Sequence, residues 1–160
     1  MALVIPWPSV RQAFIRQLRS NLVLKDQLPG DWSEGFAPQN IDGSTILPYP
    51  LGILQLHYAP AAYDWTGVVN ILGVDVFVFS KDQAEAASLY QLAFTTLQDQ
   101  RLTVTGQTSL SCRQTSSISL QDVDAKGKPI FEVGGVFEVK VAQSNPALRT
   151  LTFTADADIG

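Results

Sequence analysis

Between Phe131 and Val141 the residues alternate in character, with Phe131, Val133, Phe137, Val139 and Val141 on one parity and Glu132, Glu138 and Lys140 on the other. This is the pattern of a half-buried strand, whose apolar face has to be covered by another layer. The run Ser117-Ile-Ser-Leu-Gln-Asp122 supplies a partner strand, and Ala125-Lys-Gly-Lys-Pro129 supplies turn chemistry between the two. Gly127 can take a positive φ there, and Pro129 closes the ladder. Gly134-Gly135 inside the second strand points to a bulge or a close backbone approach. Upstream, Ala86, Leu89, Tyr90, Ala93 and Leu97 fall on one helical face between Lys81 and Asp99, with a capping-box spacing at Ser80 and Gln83. The helix and the ribbon carry matching apolar faces and are expected to pack on each other.

The rest of the chain fits the same α+β plan. Pro8-Ser9 reads as a helix start with Ser9 as N-cap, and Val10, Phe14, Leu18 and Leu22 form its apolar stripe. Arg11, Arg16 and Arg19 lie off that stripe. From about 25 to 50 the sequence has no sustained period and is rich in Pro and Gly, so it reads as a long loop with a short strand at Ser44 to Leu47. Gly52 to Tyr58 and Val68 to Phe79 read as strands, the second broken near Gly73, joined by a turn-like Ala59 to Gly67. Both parities of Val74 to Phe79 are mainly apolar, which places that strand centrally in the sheet. The expected fold is a mainly antiparallel, four- to five-stranded sheet packed by two helices in the order α-β-β-α-β-β. Residues 1–143 form one domain, and 144–160 are a C-terminal arm or a frayed end in which Leu151-Thr-Phe-Thr alternates as a strand does.

At 160 residues the chain can bury a core without staples, roughly 68–70% of its unfolded surface. Cys112 is the only cysteine, so no internal disulfide forms, and a reducing compartment suits the chain. No run approaches the ~18–20 apolar residues of a membrane span, and the first residues lack the pattern of a signal peptide; a soluble protein is expected. A net charge of −4 argues against tight wrapping of nucleic acid.

Nothing in the sequence is arranged for catalysis. His57 is the only histidine and sits in a strand-like run, with no nucleophile elbow anywhere. Cys112 has only Arg113 beside it to depress its pKa and reads as a small sheet residue. Asp122-Val-Asp-Ala-Lys-Gly opens like a calcium loop, but Lys126 takes the fifth position and Val133 stands where a bidentate Glu belongs, so it reads as a solvated hairpin. No phosphate-cradling glycine motif occurs. No metal or cofactor is expected, and no enzymatic activity.

Large apolar residues outside the periodic segments are the candidates for contact with partners. Trp7, Trp32 and Trp65 fall in or beside loops, where aromatics act as interface anchors or plug the edges of their own core. Phe36, Ile46 and Leu47 enrich the 25–50 segment, and Leu151 and Phe153 the C-terminal one. The expected contact set is therefore Trp32, Phe36, Ile46, Leu47, Trp65, Leu151 and Phe153.

The helix near Pro8-Ser9-Val10-Arg11, the Pro/Gly-rich loop, Val74-Asp-Val-Phe-Val-Phe, the helix opening Ser80-Lys-Asp-Gln-Ala-Glu-Ala-Ala and the ribbon Asp122 to Val139 occur in a telling order. Across about residues 8–142 this layout resembles the tail terminator (tail completion, head-tail joining) proteins of long-tailed bacteriophages. The resemblance implies a structural virion protein: a sheet with helices on one side, assembled as a six-fold ring on the head-proximal end of the tail tube. The implied partners are further copies of the chain in a homo-hexamer, the tail tube protein, and the head-tail connector or stopper. Double-stranded DNA passes through without specific binding, and no membrane is involved. The implied location is the tail or neck of a virion, after synthesis in the host cytoplasm. The same features suit a head-tail adaptor or stopper of the neck, and a small cytoplasmic α+β ligand-binding module or enzyme is the alternative from another class.

Overall fold

The ribbon forms where the alternation predicts it. The computed structural model describes residues 7–35, 47–58, 61–64, 67–104, 107–109 and 111–143. Its elements run α1 (Trp7–Ser20), α2 (Leu22–Gln27), β1 (Trp32–Glu34), β2 (Leu51–Tyr58), β3 (Ala61–Asp64), β4 (Gly67–Ser80), α3 (Gln83–Leu97), β5 (Gln107–Ser109), β6 (Arg113–Val123) and β7 (Pro129–Gln143).

Strand β4 is the hub of one sheet in the order β1-β2-β4-β7-β5, with β3 also pairing β4 and β6 also pairing β7. The short β1 runs parallel to β2; β2, β3 and β7 all pair antiparallel to β4. The register puts Leu54, Val76 and Gly135 side by side, and next to them Leu56, Val74 and Phe137, all on the face that α3 covers. Val74, Val76, Val78, Phe137, Val139 and Val141 are fully buried there, with Leu89, Ala93 and Leu97 of α3 against them. Phe94 of α3 and Phe137 of β7 have ring centroids 6.2 Å apart. Helix α1 adds Val10, Phe14 and Leu18 to the same core.

The sheet is larger than the sequence pattern implies. Among the described residues there are seven strands and three helices, where four to five strands and two helices were expected. The additions are short: β1, β3 and β5 have three or four residues each, and α2 has six, too few for a period to show. The segment from Ala59 to Gly67 contains β3 rather than turn alone, and the 25–50 segment carries the end of α2 and all of β1. The strand expected at Ser44 to Leu47 lies outside the described residues except for Leu47, which is in a bend.

Three local expectations are also corrected. Strand β4 is unbroken at Gly73; the irregularity is in β2 between Leu56 and Tyr58, and the Tyr58 ring lies over Gly73, where a side chain would collide with it. Ser9 lies inside α1, and the α1 stripe ends at Leu18 because Asn21, extended at φ −82° and ψ 101°, caps a new helix by accepting from the Leu24 N–H. At α3 the cap is Asp82, whose Oδ1 accepts from the Ala84 N–H at 3.0 Å, while Ser80 Oγ accepts from the Asp82 N–H. Of the two readings of Gly134-Gly135, close approach holds: Phe77 lies against Gly134, and the Tyr90 hydroxyl and Ser116 carbonyl against Gly135.

Candidate assembly surfaces

The residues that sequence reasoning singled out for chemistry are each held in ordinary structural contacts. His57 Nδ1 lies 3.1 Å from Asp75 Oδ1, and Asp75 is buried on β4. Cys112 is fully buried, and its burial, with Asp99 nearby, pushes the thiol up to about 12. The calcium-like segment is a turn: Asp124 Oδ1 accepts from the backbone N–H groups of Lys126 and Lys128, both at 2.9 Å, and Gly127 has φ +76°. These bonds to Lys128 and Lys126 hold the Asp124 carboxyl below its ordinary pKa. Among the described residues no group of three or more His, Cys, Asp or Glu is placed to hold a metal ion, and no helix is long and apolar enough to cross a membrane.

The expected contact set is not gathered at one place by the described structure. Trp32 resolves toward its own core: it is buried on β1, with its ring over Gly52 of β2. Trp7 packs at the core edge and donates from Nε1 to Glu34 Oε1 at 2.7 Å. Leu47 is half-buried in the bend before β2. Phe36, Ile46, Trp65, Leu151 and Phe153 lie outside the described residues.

Exposed apolar surface instead falls in two other places. The large hydrophobic residues left exposed among those described are Leu22 (67%) and Val23 (55%) on α2, and Ile118 (41%), Leu120 (48%) and Val123 (61%) on β6. Strand β6 pairs only with β7, so its other edge has no strand partner among the described residues. The register aligns Ile118 with Gly134 and Phe77, and Leu120 with Glu132 and Phe79, so both side chains share the sheet face opposite α3. Asp122 lies two residues on from Leu120 on that face. Burial first, then the charges of Asp122 and Asp75, raises the pKa of Glu132.

The α1–α2 corner has the opposite charge character. Gln17 Nε2 and Asn21 Nδ2 donate to the carbonyl and hydroxyl of Thr96, each at 3.0 Å, which pins the corner to the C-terminal end of α3. Arg11 pairs with Glu34, and Arg19 with Asp31 at 2.5 Å, tying α1 to the β1 side of the sheet. Hydrogen bonds from Trp7 and Arg11 hold the Glu34 carboxyl below its ordinary pKa. Arg16 and Lys25 are exposed and have no ion-pair partner among the described residues. A shallow groove along α1 is lined by Arg11, Ile15, Arg16, Arg19 and Glu34, and Leu22 and Val23 follow just beyond it in the chain.

The β6 patch was legible in principle, because Ile118 and Leu120 share a parity with no apolar partner on the other strand. The α2 patch was not, since Leu22 completes the α1 stripe perfectly and only the break at Asn21 turns it outward.

No family model matches the sequence, and no curated protein sequence matches it either. The fold does have a match among solved structures. A chain of the virion of a native gene transfer agent (GTA) particle superposes with a TM-score of 0.59 at 16% identity, covering 81% of this chain and 91% of that one. At that identity the likeness is one of fold. It spans nearly the whole of the virion chain and about four-fifths of this one.

Proposed function

We propose that this chain is a structural component of a phage-like virion, and within it the tail terminator: a ring, hexameric by the layout it resembles, on the head-proximal end of the tail tube. The observation that carries the reading is the fold shared with a chain of the gene transfer agent virion over nine-tenths of that chain's length. The sequence order of helix, loop, strands, helix and ribbon supports the same assignment independently. A tube grows because every ring exposes the surface that binds the next, so a terminator has to match that surface on one side and lack it on the other. Non-enzymatic work of this kind agrees with a His57 and a Cys112 held in structural roles. The partners are then further copies of the chain, the tube protein and the head connector, and residues 144–160 serve as an arm outside the domain.

Deletion of the gene from its parent particle tests the proposal. Tubes of uncontrolled length without heads are expected, with joining restored by added purified protein. Tails of normal length joined to heads in its absence would overturn it.

A further inference from the structure

The two exposed apolar patches lie at opposite ends of the molecule. Phe131 of β7 pairs with Ser80, just before the α3 N-cap, so the β6–β7 hairpin lies at the N-terminal end of α3. The α1–α2 corner is bound to Thr96 at the other end. Fifteen helical residues separate these ends, roughly 22 Å at the helical rise. The patches also differ in side, since Ile118 and Leu120 face away from the helix layer. Within one chain they cannot meet.

We infer that copies of this chain associate head to tail, with the β6 edge of one seated on the α1–α2 corner of the next. Apolar surface on both sides supplies the contact, Ile118 and Leu120 from one copy against Leu22 and Val23 of its neighbour. Charge then selects the pairing. Asp122 and Glu132 share the sheet face of Leu120, while on the corner the exposed Arg16 and Lys25 outnumber the exposed Asp26, so on balance unlike patches attract and either patch set against its own copy is disfavoured. An isologous contact stops at a dimer; a heterologous one between distinct patches generates a ring when its rotation closes. The inference rests on the ring proposed above and names the surfaces that build it.

The test uses the full chain, alone and with isolated tail tubes, read by native mass spectrometry. Leu120→Lys and Val23→Asp replace exposed side chains with charges that oppose the proposed pairing, and each variant should melt like wild type; Leu120→Ser and Val23→Ser stand in if either does not. Wild type is expected to form rings, and each variant alone to lose them. An equimolar mixture should give a one-to-one heterodimer and nothing larger, because the intact hairpin of V23D fits the intact corner of L120K and each partner's other surface is blocked. Rings that survive both changes would overturn the assignment of surfaces while leaving the ring itself standing. Assembly by V23D alone would show that β6 pairs with itself, which also overturns it. A wild-type chain monomeric even on tubes would remove the ring and this inference together.

Discussion

Cys112 shows how position overrides intrinsic reactivity. The sequence leaves a lone thiol next to Arg113, an arrangement that elsewhere favours thiolate. Here the side chain is fully buried in the core, and that burial, with Asp99 nearby, pushes the thiol up to about 12. At neutral pH it is protonated and inaccessible, so alkylation should follow global unfolding: slow in native protein, complete within minutes in denaturant. Fast labelling of the native state would refute this. The raised pKa also sets a sign for stability. An unfolded cysteine loses its proton near ~8.5, whereas the folded one keeps it to about 12. The stabilisation is therefore fully present below ~8.5 and is lost as pH rises through that window, by up to about 1.4 kcal/mol per pH unit. Tyr90, raised by burial, acts in the same direction. Denaturation midpoints measured from pH 7 to 11 should fall, and a Cys112→Ala variant should show a shallower decline.

At the scale of elements, the α3–β7 contact carries the largest mutational expectation. Val139 is fully buried on the face that α3 covers, so Val139→Asp places an unpaired charge in the core and should cost several kcal/mol, on the order of 3 or more. Chemical denaturation would register that, and wild-type-like melting would contradict the packing. This contact was the most legible part of the fold, because α3 and β7 have 15 residues each and their periods, 3.6 and 2, are expressed several times over. Length explains what was not legible. Strand β1 has three residues, and its place in the sheet is fixed by tertiary contacts: parallel pairing with β2 and the Trp32 ring on Gly52. Trp32 therefore looked like a loop aromatic available for contact and is a core residue instead. The same limit applies to surfaces, since periodicity reports which face is apolar and not whether a layer covers it. Strand β6 has exposed apolar residues with nothing over them among the described residues, which its parity suggests and the three-dimensional arrangement establishes.

At the scale of the whole molecule, charge bears most directly on the proposed role. The chain carries fifteen acidic against eleven basic residues, and four of those acids, Asp75, Asp122, Glu132 and Glu138, share the sheet face away from the helices with Lys140. Glu138 is held by the Tyr58 hydroxyl at 2.9 Å, and Asp75 by His57, so these carboxylates are fixed features of the face rather than incidental surface groups. Duplex DNA binds proteins mainly through cations set against its phosphates, with an affinity that falls steeply with salt. Six copies at −4 each would carry about −24, which repels a phosphate backbone and suits a channel that DNA crosses without adhering. The purified chain, alone or assembled on tail tubes, should therefore leave duplex DNA unretarded in a gel even at ~50 mM salt, where electrostatic binding is strongest. In the chain alone, Glu132→Lys combined with Asp122→Lys shifts each copy by four charge units, from −4 to neutral, and should introduce weak retention that disappears as salt is raised. Tight, salt-sensitive binding by the unmodified chain would mean that it holds DNA rather than letting it pass, and would count against a terminator that serves only as a conduit.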